Sequence, residues 1–157
     1  MANYLRTTGT TLHVHDVDAD EIHNVKSSAI SGVGGSRATS NIQNLQDESV
    51  TVIPGAITPT AASFTIYLDT GSVEQKALYQ LYKTAKVVDF YVGLTDDPDL
   101  ENVPTLAGSV LTLPESRSFA KFSGFITDFP LEFAVDSVVE CSITVQMESA
   151  YEFIYKT

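Results

Sequence analysis

His13 and His15 stand two residues apart in Leu12-His13-Val14-His15, so on an extended chain both imidazoles point to one face, the first requirement of a two-histidine metal site. His23 or the acids between Asp16 and Glu21 are the available further ligands. A zinc centre needs three or four convergent donors, and local geometry places only two here, so polar side chains on a wet strand face account for the pair more simply. Asp16, Asp18 and Asp20 have the spacing that opens a calcium loop. Glu21, however, stands where that loop needs its turning glycine, and Ser27 where the bidentate glutamate belongs. No metal site is expected.

Gly32, Gly34 and Gly35 form a glycine-rich stretch, but no Gly-Lys-Ser/Thr follows it, and Arg37 occupies the place of the third glycine of a dinucleotide fingerprint. A flexible turn between strands is the simpler reading. Cys141 alternates with apolar residues and reads as a small core side chain, not a nucleophile. A Gly-x-Ser-x-Gly elbow is absent. Carboxylates are plentiful but scattered over loops, so nothing selects two of them as acid and base. The chain is not expected to be an enzyme, and no catalytic residue and no cofactor is assigned.

The elements that carry these residues follow mainly a period of two. Val139, Cys141, Ile143, Val145 and Met147 alternate with Glu140, Ser142, Thr144, Gln146 and Glu148, which predicts a strand with one buried and one wet face over Val138 to Glu148. Phe64, Ile66 and Leu68 predict a second strand, and Val88, Phe90, Val92 and Leu94 a third. Phe119 to Thr127 and Leu12 to His15 are further candidates. One helix interrupts them, from Val73 to Lys86. Ser72 and Gln75 form a capping-box pair, Glu74 lies in the first turn, Lys83 and Lys86 lie near the other end, and Leu78, Leu81, Tyr82 and Ala85 share one stripe. That stripe is expected to pack within the subunit. A lone amphipathic helix among many strands predicts a mainly β fold, a sandwich or rolled barrel with one flanking helix. Ser31 to Ser36, Asn44 to Ala62 and Thr95 to Pro104 lack a strong period and read as connections; the last carries Asp96, Asp97, Asp99 and Glu101 around Pro98.

The 157 residues suit a single domain over 1–157. Charged residues are 18% against roughly 25% in an average globular chain, which argues against a disordered tail. A formal charge of −11 disfavours adhesion to nucleic acid or to anionic membranes. Cys141 is the lone cysteine, so no internal disulfide is possible. Met1 to Leu12 contains no apolar leader core, and no stretch approaches the roughly 20 apolar residues of a membrane span, so the chain is expected to fold in the cytosol.

Pro54-Gly55, then Ser63-Phe64-Thr65-Ile66-Tyr67-Leu68-Asp69, then Ala77-Leu78-Tyr79-Gln80-Leu81 and Asp89-Phe90-Tyr91-Val92, form one ordered series. Phe122-Ser123-Gly124-Phe125-Ile126-Thr127-Asp128-Phe129-Pro130, followed by Asp136-Ser137-Val138-Val139, forms a second. In order and spacing these resemble the major tail tube proteins of long, non-contractile-tailed bacteriophages, which are similar in fold to bacterial secretion-tube proteins. The resemblance implies a structural protein of the virion that polymerises as stacked hexameric rings, a hollow conduit for DNA ejection. It implies as partners the chain itself, the tape measure, terminator and tail tip proteins, and DNA in transit without specific binding. It also implies the tail tube as location, with assembly in the host cytoplasm. A secretion tube of the same fold, or a β-sandwich binding module, is the alternative.

Within that frame the long connection about 44–62 is expected to reach the next ring, with Asp47, Glu48, Val50, Val52, Ile53 and Pro54 as contacts. The extension 149–157 carries Tyr151, Phe153 and Tyr155, expected to dock on an adjacent subunit; strand addition within the chain is the alternative. The wet row Glu140, Ser142, Thr144 and Gln146, with Asp128, is a candidate lumen lining; Glu132 and the acids of the Thr95 to Pro104 connection come next.

Overall fold

Alternating sequence becomes alternating burial wherever a strand has a core on one side. The computed structural model describes residues 4–97, 99 and 101–157, so Pro98 of the acidic connection lies outside the described residues. In chain order the elements are β1 (Thr11–Asp16), β2 (Glu21–Val25), β3 (Ala29–Ser31), β4 (Gly35–Ile42), β5 (Thr51–Pro59), β6 (Ala61–Tyr67), α1 (Val73–Thr84), β7 (Val88–Gly93), β8 (Thr105–Ala107), β9 (Val110–Thr112), β10 (Phe119–Asp128), β11 (Leu131–Glu132), β12 (Glu140–Met147) and β13 (Glu152–Ile154). The main sheet runs β2-β1-β7-β10-β12-β6-β3, with β11 beside β12 and β13 beside β10; its ladders are antiparallel.

The sheet is rolled. Phe64 of β6 and Phe90 of β7 have two strands between them in the sheet, yet their rings are 6.4 Å apart, so the two halves face each other across one core. Leu12, Val14, Phe64, Ile66, Phe90, Phe122, Ile143 and Val145 fill it, with Cys141 buried among them as a small apolar side chain. Burial raises the Cys141 thiol to about 11, which keeps it protonated and unreactive. Mainly β with one flanking helix is thus the fold the chain adopts.

The helix packs Leu78 and Leu81 into this core, as its stripe requires. Tyr82 of the same stripe is half exposed and stacks on Phe129 instead, at 6.0 Å. The helix stops at Thr84, two residues short of the expected end, because Ala85 takes a left-handed C-cap and Lys86 leaves to pair with Asp16 at 2.6 Å. Only half of the capping box forms. The Ser72 hydroxyl accepts from the Gln75 N–H, but the Gln75 side chain spans back to Asp69 N and Tyr67 O, each at 2.8 Å, and so ties α1 to the end of β6.

Candidate functional site

The connection expected from Asn44 to Ala62 is mostly strand. β5 pairs with β4, and β6 begins at Ala61, so Gly35 to Pro59 forms a two-stranded arm that leaves the body. Within the body Ser31 faces Ser63, and four residues further along both strands Gly35 faces Pro59, so the arm continues the β3–β6 ladder in the same register. The joint between them is built from Gly32, whose φ is +77° and where a Cβ would stand 2.5 Å from the Ala61 carbonyl oxygen. Thr60 fastens the other strand: its hydroxyl lies 2.9 Å from both the Gly32 and the Gly34 carbonyl oxygens. The glycine stretch is therefore the root of the arm.

Every residue of β4 is exposed, and so are most of β5. Val52, Ile53 and Pro54 lie on β5 opposite Asn41, Ser40 and Thr39, while Asp47, Glu48 and Val50 lie in the tip between the strands. All six sequence-selected residues thus sit on one projecting element. The ribbon carries Ile42, Val50, Val52, Ile53 and Ile57 as exposed apolar side chains.

At the C-terminal end, β13 adds to β10, with Phe119, Ala120 and Lys121 opposite Ile154, Phe153 and Glu152. This is strand addition within the chain. β12 ends at Met147 and leaves the first residues of β10 with an open edge that β13 fills, so the backbone of Glu152 to Ile154 follows the alternative of strand addition. The side chains of Tyr151, Phe153 and Tyr155 nevertheless remain exposed, with the last two rings 4.6 Å apart.

Glu140, Ser142, Thr144 and Gln146 form one half-buried row on β12, opposite Tyr67, Thr65, Ser63 and Ala61. Asp128 joins that row only through a bulge. Ile126 faces Val145 on the core side, but Asp128 faces Thr144, so β10 advances two residues while β12 advances one and Asp128 turns to the wet face. Ala29 and Ser31 continue the surface opposite Thr65 and Ser63. The strip is rich in hydroxyls, carries Glu140 and Asp128, and has no lysine or arginine on β3, β6 or β12. Glu132 lies exposed beside Glu140 on β11.

The histidine pair is not on a wet face. His13 and His15 are both buried, His13 opposite Tyr91 with its Nε2 3.0 Å from the Thr11 hydroxyl, and His15 opposite Asp89. Burial first, and the Arg117 charge second, hold the His13 imidazole down to about 4, so it is neutral at ordinary pH. Among the described residues no group of three or more histidine, cysteine or acidic side chains could hold a metal ion. Asp16 is a turn cap instead, its carboxylate accepting from the N–H groups of Asp18 and Ala19 while Lys86 neutralises it.

Arg117 is the feature that no sequence pattern announces. Its guanidinium lies over Gly93, where a Cβ would be 3.0 Å from Cζ, and donates to the carbonyls of Leu94, Gly93, Gly9 and Asn102. Around it Asp97 accepts from Asn102 and Ser116, and Asp96 from Ser118. Lys156 reaches the same cluster through Ser118 and the Asp96 carbonyl. The acids of the Thr95 to Pro104 connection thus serve a clasp that joins both chain ends to the body. A cleft of about 630 Å³ lies elsewhere, between Asn24, Lys26, Ser28, Tyr67 and the start of α1; none of the candidate contact, docking or lumen residues lines it.

The whole-chain comparisons agree with this geometry. The chain is 26% identical to structural protein 3 of Pseudomonas phage PAJU2 over 158 residues, 99% of this chain and 96% of that one. In fold it is similar to the SPP1 tail tube, with a TM-score of 0.66 at 16% identity over 97% of this chain and 80% of that one. It is also similar to a chain of the anti-feeding prophage baseplate, with a TM-score of 0.75 at 5% identity over 100% and 99%. A model of the lambda-like phage tail tube proteins matches residues 3–157, and the chain belongs to that family of structural tail proteins.

Proposed function

We propose that this chain is the major subunit of a phage tail tube, a non-catalytic protein that closes into hexameric rings and stacks them into a hollow conduit for DNA. The observation that carries this reading is the cation-free strip on β3, β6 and β12, bounded by strand edges with no partner in the subunit. β7 leaves β10 at Gly124, so the end of β10 is open on one side of the strip and β3 is open on the other. Pairing these edges between neighbours removes both and joins the strips into one continuous bore. Six copies at −11 each carry about −66, a field that keeps a DNA duplex moving because no lysine is there to exchange counterions with its phosphates. In this arrangement Glu140, Ser142, Thr144, Gln146 and Asp128 face the lumen, and the arm with Asp47 to Pro54 crosses to the next ring.

Images of the purified protein over a range of concentrations test the reading. Rings and tubes are expected, and a monomer at millimolar concentration overturns it. Glu140→Lys in every subunit tests the bore: tails of normal appearance with slowed ejection at low salt are expected, whereas ejection at the unmodified rate would move Glu140 to the outside. The same reading places the tape measure protein in the bore, terminator and tip proteins at the two ends, the tube in the virion and its assembly in the host cytoplasm.

A further inference from the structure

We infer that the tip of the arm seats in a groove at the root of the arm of another copy, so that each subunit offers one plug and one socket. The inference rests on the tube reading above and names the partner surface that the arm meets. The socket is a groove of about 400 Å³ between the arm and the C-terminal segment, lined by Gly35, Arg37, Ile57, Ala150, Tyr151 and Phe153. Ile57, Tyr151 and Phe153 are exposed there.

Charge selects the occupant. From Gly35 to Pro59 the arm has one cation, Arg37 at its root, and two acids, Asp47 and Glu48 at its tip. Arg37 spends one donor on the Gly55 carbonyl at 2.9 Å, and its guanidinium has further donors for a carboxylate. The tip also carries Leu45, which is fully exposed, a side chain whose chemistry matches Ile57, Tyr151 and Phe153. Glu152, the acid nearest the groove in sequence, stands opposite Lys121 and is not among the lining residues.

Reach excludes the chain's own tip. The ladder runs seven residues from Gly35↔Pro59 to Ile42↔Thr51, roughly 23 Å at 3.3 Å per residue, so a paired ribbon holds its tip well away from its own root. A second copy must supply the plug. Opposite charges at opposite ends of one arm favour head-to-tail contact and disfavour tip against tip, which makes the contact heterologous and able to repeat along an axis.

The test is cross-linking of the full chain carrying Leu45→Cys and Phe153→Cys. Cys141 is fully buried and stays silent. Mild oxidation of the double variant should give a ladder of covalent oligomers beyond the dimer, and each single variant should give none. Arg37→Glu should raise the concentration needed for tubes at least about tenfold with an unchanged melting temperature, and Arg37→Glu with Asp47→Arg and Glu48→Arg should restore it. Dimers from Leu45→Cys alone would mean tip-to-tip contact and overturn the inference. Tubes that form without a ladder, or a charge swap that fails to restore assembly, overturn it while leaving the tube reading intact. A wild-type chain that makes no tubes removes both.

Discussion

The rolled body and the arm are both antiparallel β-structure, yet they are held together in opposite ways. In the body, β6, β10 and β12 bury alternate side chains, β1 and β7 are buried on both faces, and Arg117 ties the N-terminal segment down at Gly9. In the arm, β4 and β5 make a long ladder with exposed side chains on both faces. A lone two-stranded ribbon is marginal in water, so this one keeps its shape by continuing the body's register and by the Gly32–Thr60 joint. Buried apolar area holds the body together, whereas the apolar area of the arm is exposed and adds little to folding.

The sharpest way to break that contrast is Arg117→Ala. Four carbonyls lose a charged donor and the N-terminal segment loses its tie at Gly9, so the monomer should lose about 3–5 kcal/mol in denaturant melts. Leu81→Ala, which opens a cavity under α1, should cost about 2–5 kcal/mol, on the order of ten degrees of melting temperature. An unchanged melting temperature would put Leu81 at an interface between copies. Either loss should appear before assembly is measured.

Acid should act on the body in two stages. His13 is buried neutral at about 4, below its usual 6.5, so the unfolded chain binds the extra proton first as pH falls. Stability should drop between pH 6.5 and 4 by roughly 3 kcal/mol at most and then level off. Asp97, held down to about 2 by Asn102, Ser116 and the Asp99 N–H, contributes stability that is present above its usual 3.8 and lost as pH falls toward 2. Melting curves of His13→Gln should lack the first stage and keep the second. At the small end, Val52→Asp on the exposed arm should change monomer stability by no more than about 0.5 kcal/mol while abolishing tube formation. A large loss of monomer stability there would erase the distinction between the two regions.

The same contrast decides what could be read in the sequence. Strands with one buried face, such as Glu140–Met147 and Ala61–Tyr67, announce themselves by alternation. Gly35–Ile42 reads Gly-Ser-Arg-Ala-Thr-Ser-Asn-Ile because neither face meets a core, and the bulge between Arg37 and Thr39 breaks the register of its partner as well. Nothing periodic was there to find. β13 is three residues long and is ordered by an edge vacated elsewhere. Arg117 gains its role from Gly9, more than a hundred positions away, which no local pattern can encode. Alternation from Ile126 would set Asp128 on the core side, and only the bulge in β10 turns it to the wet row. The signal available for the arm was the glycine stretch, read as a turn where it is a joint.

That joint has a mechanical consequence. A rolled sheet with a filled core resists deformation more than a two-stranded ribbon whose faces meet no core. In a stack of such subunits curvature would be taken up in the ribbons, stretched on the convex side and relaxed on the concave side, while each body stayed round. The bore would keep its diameter as the axis bent, and the stiffness of the whole filament would be set by Gly32, Thr60 and the residues at their side, not by the core.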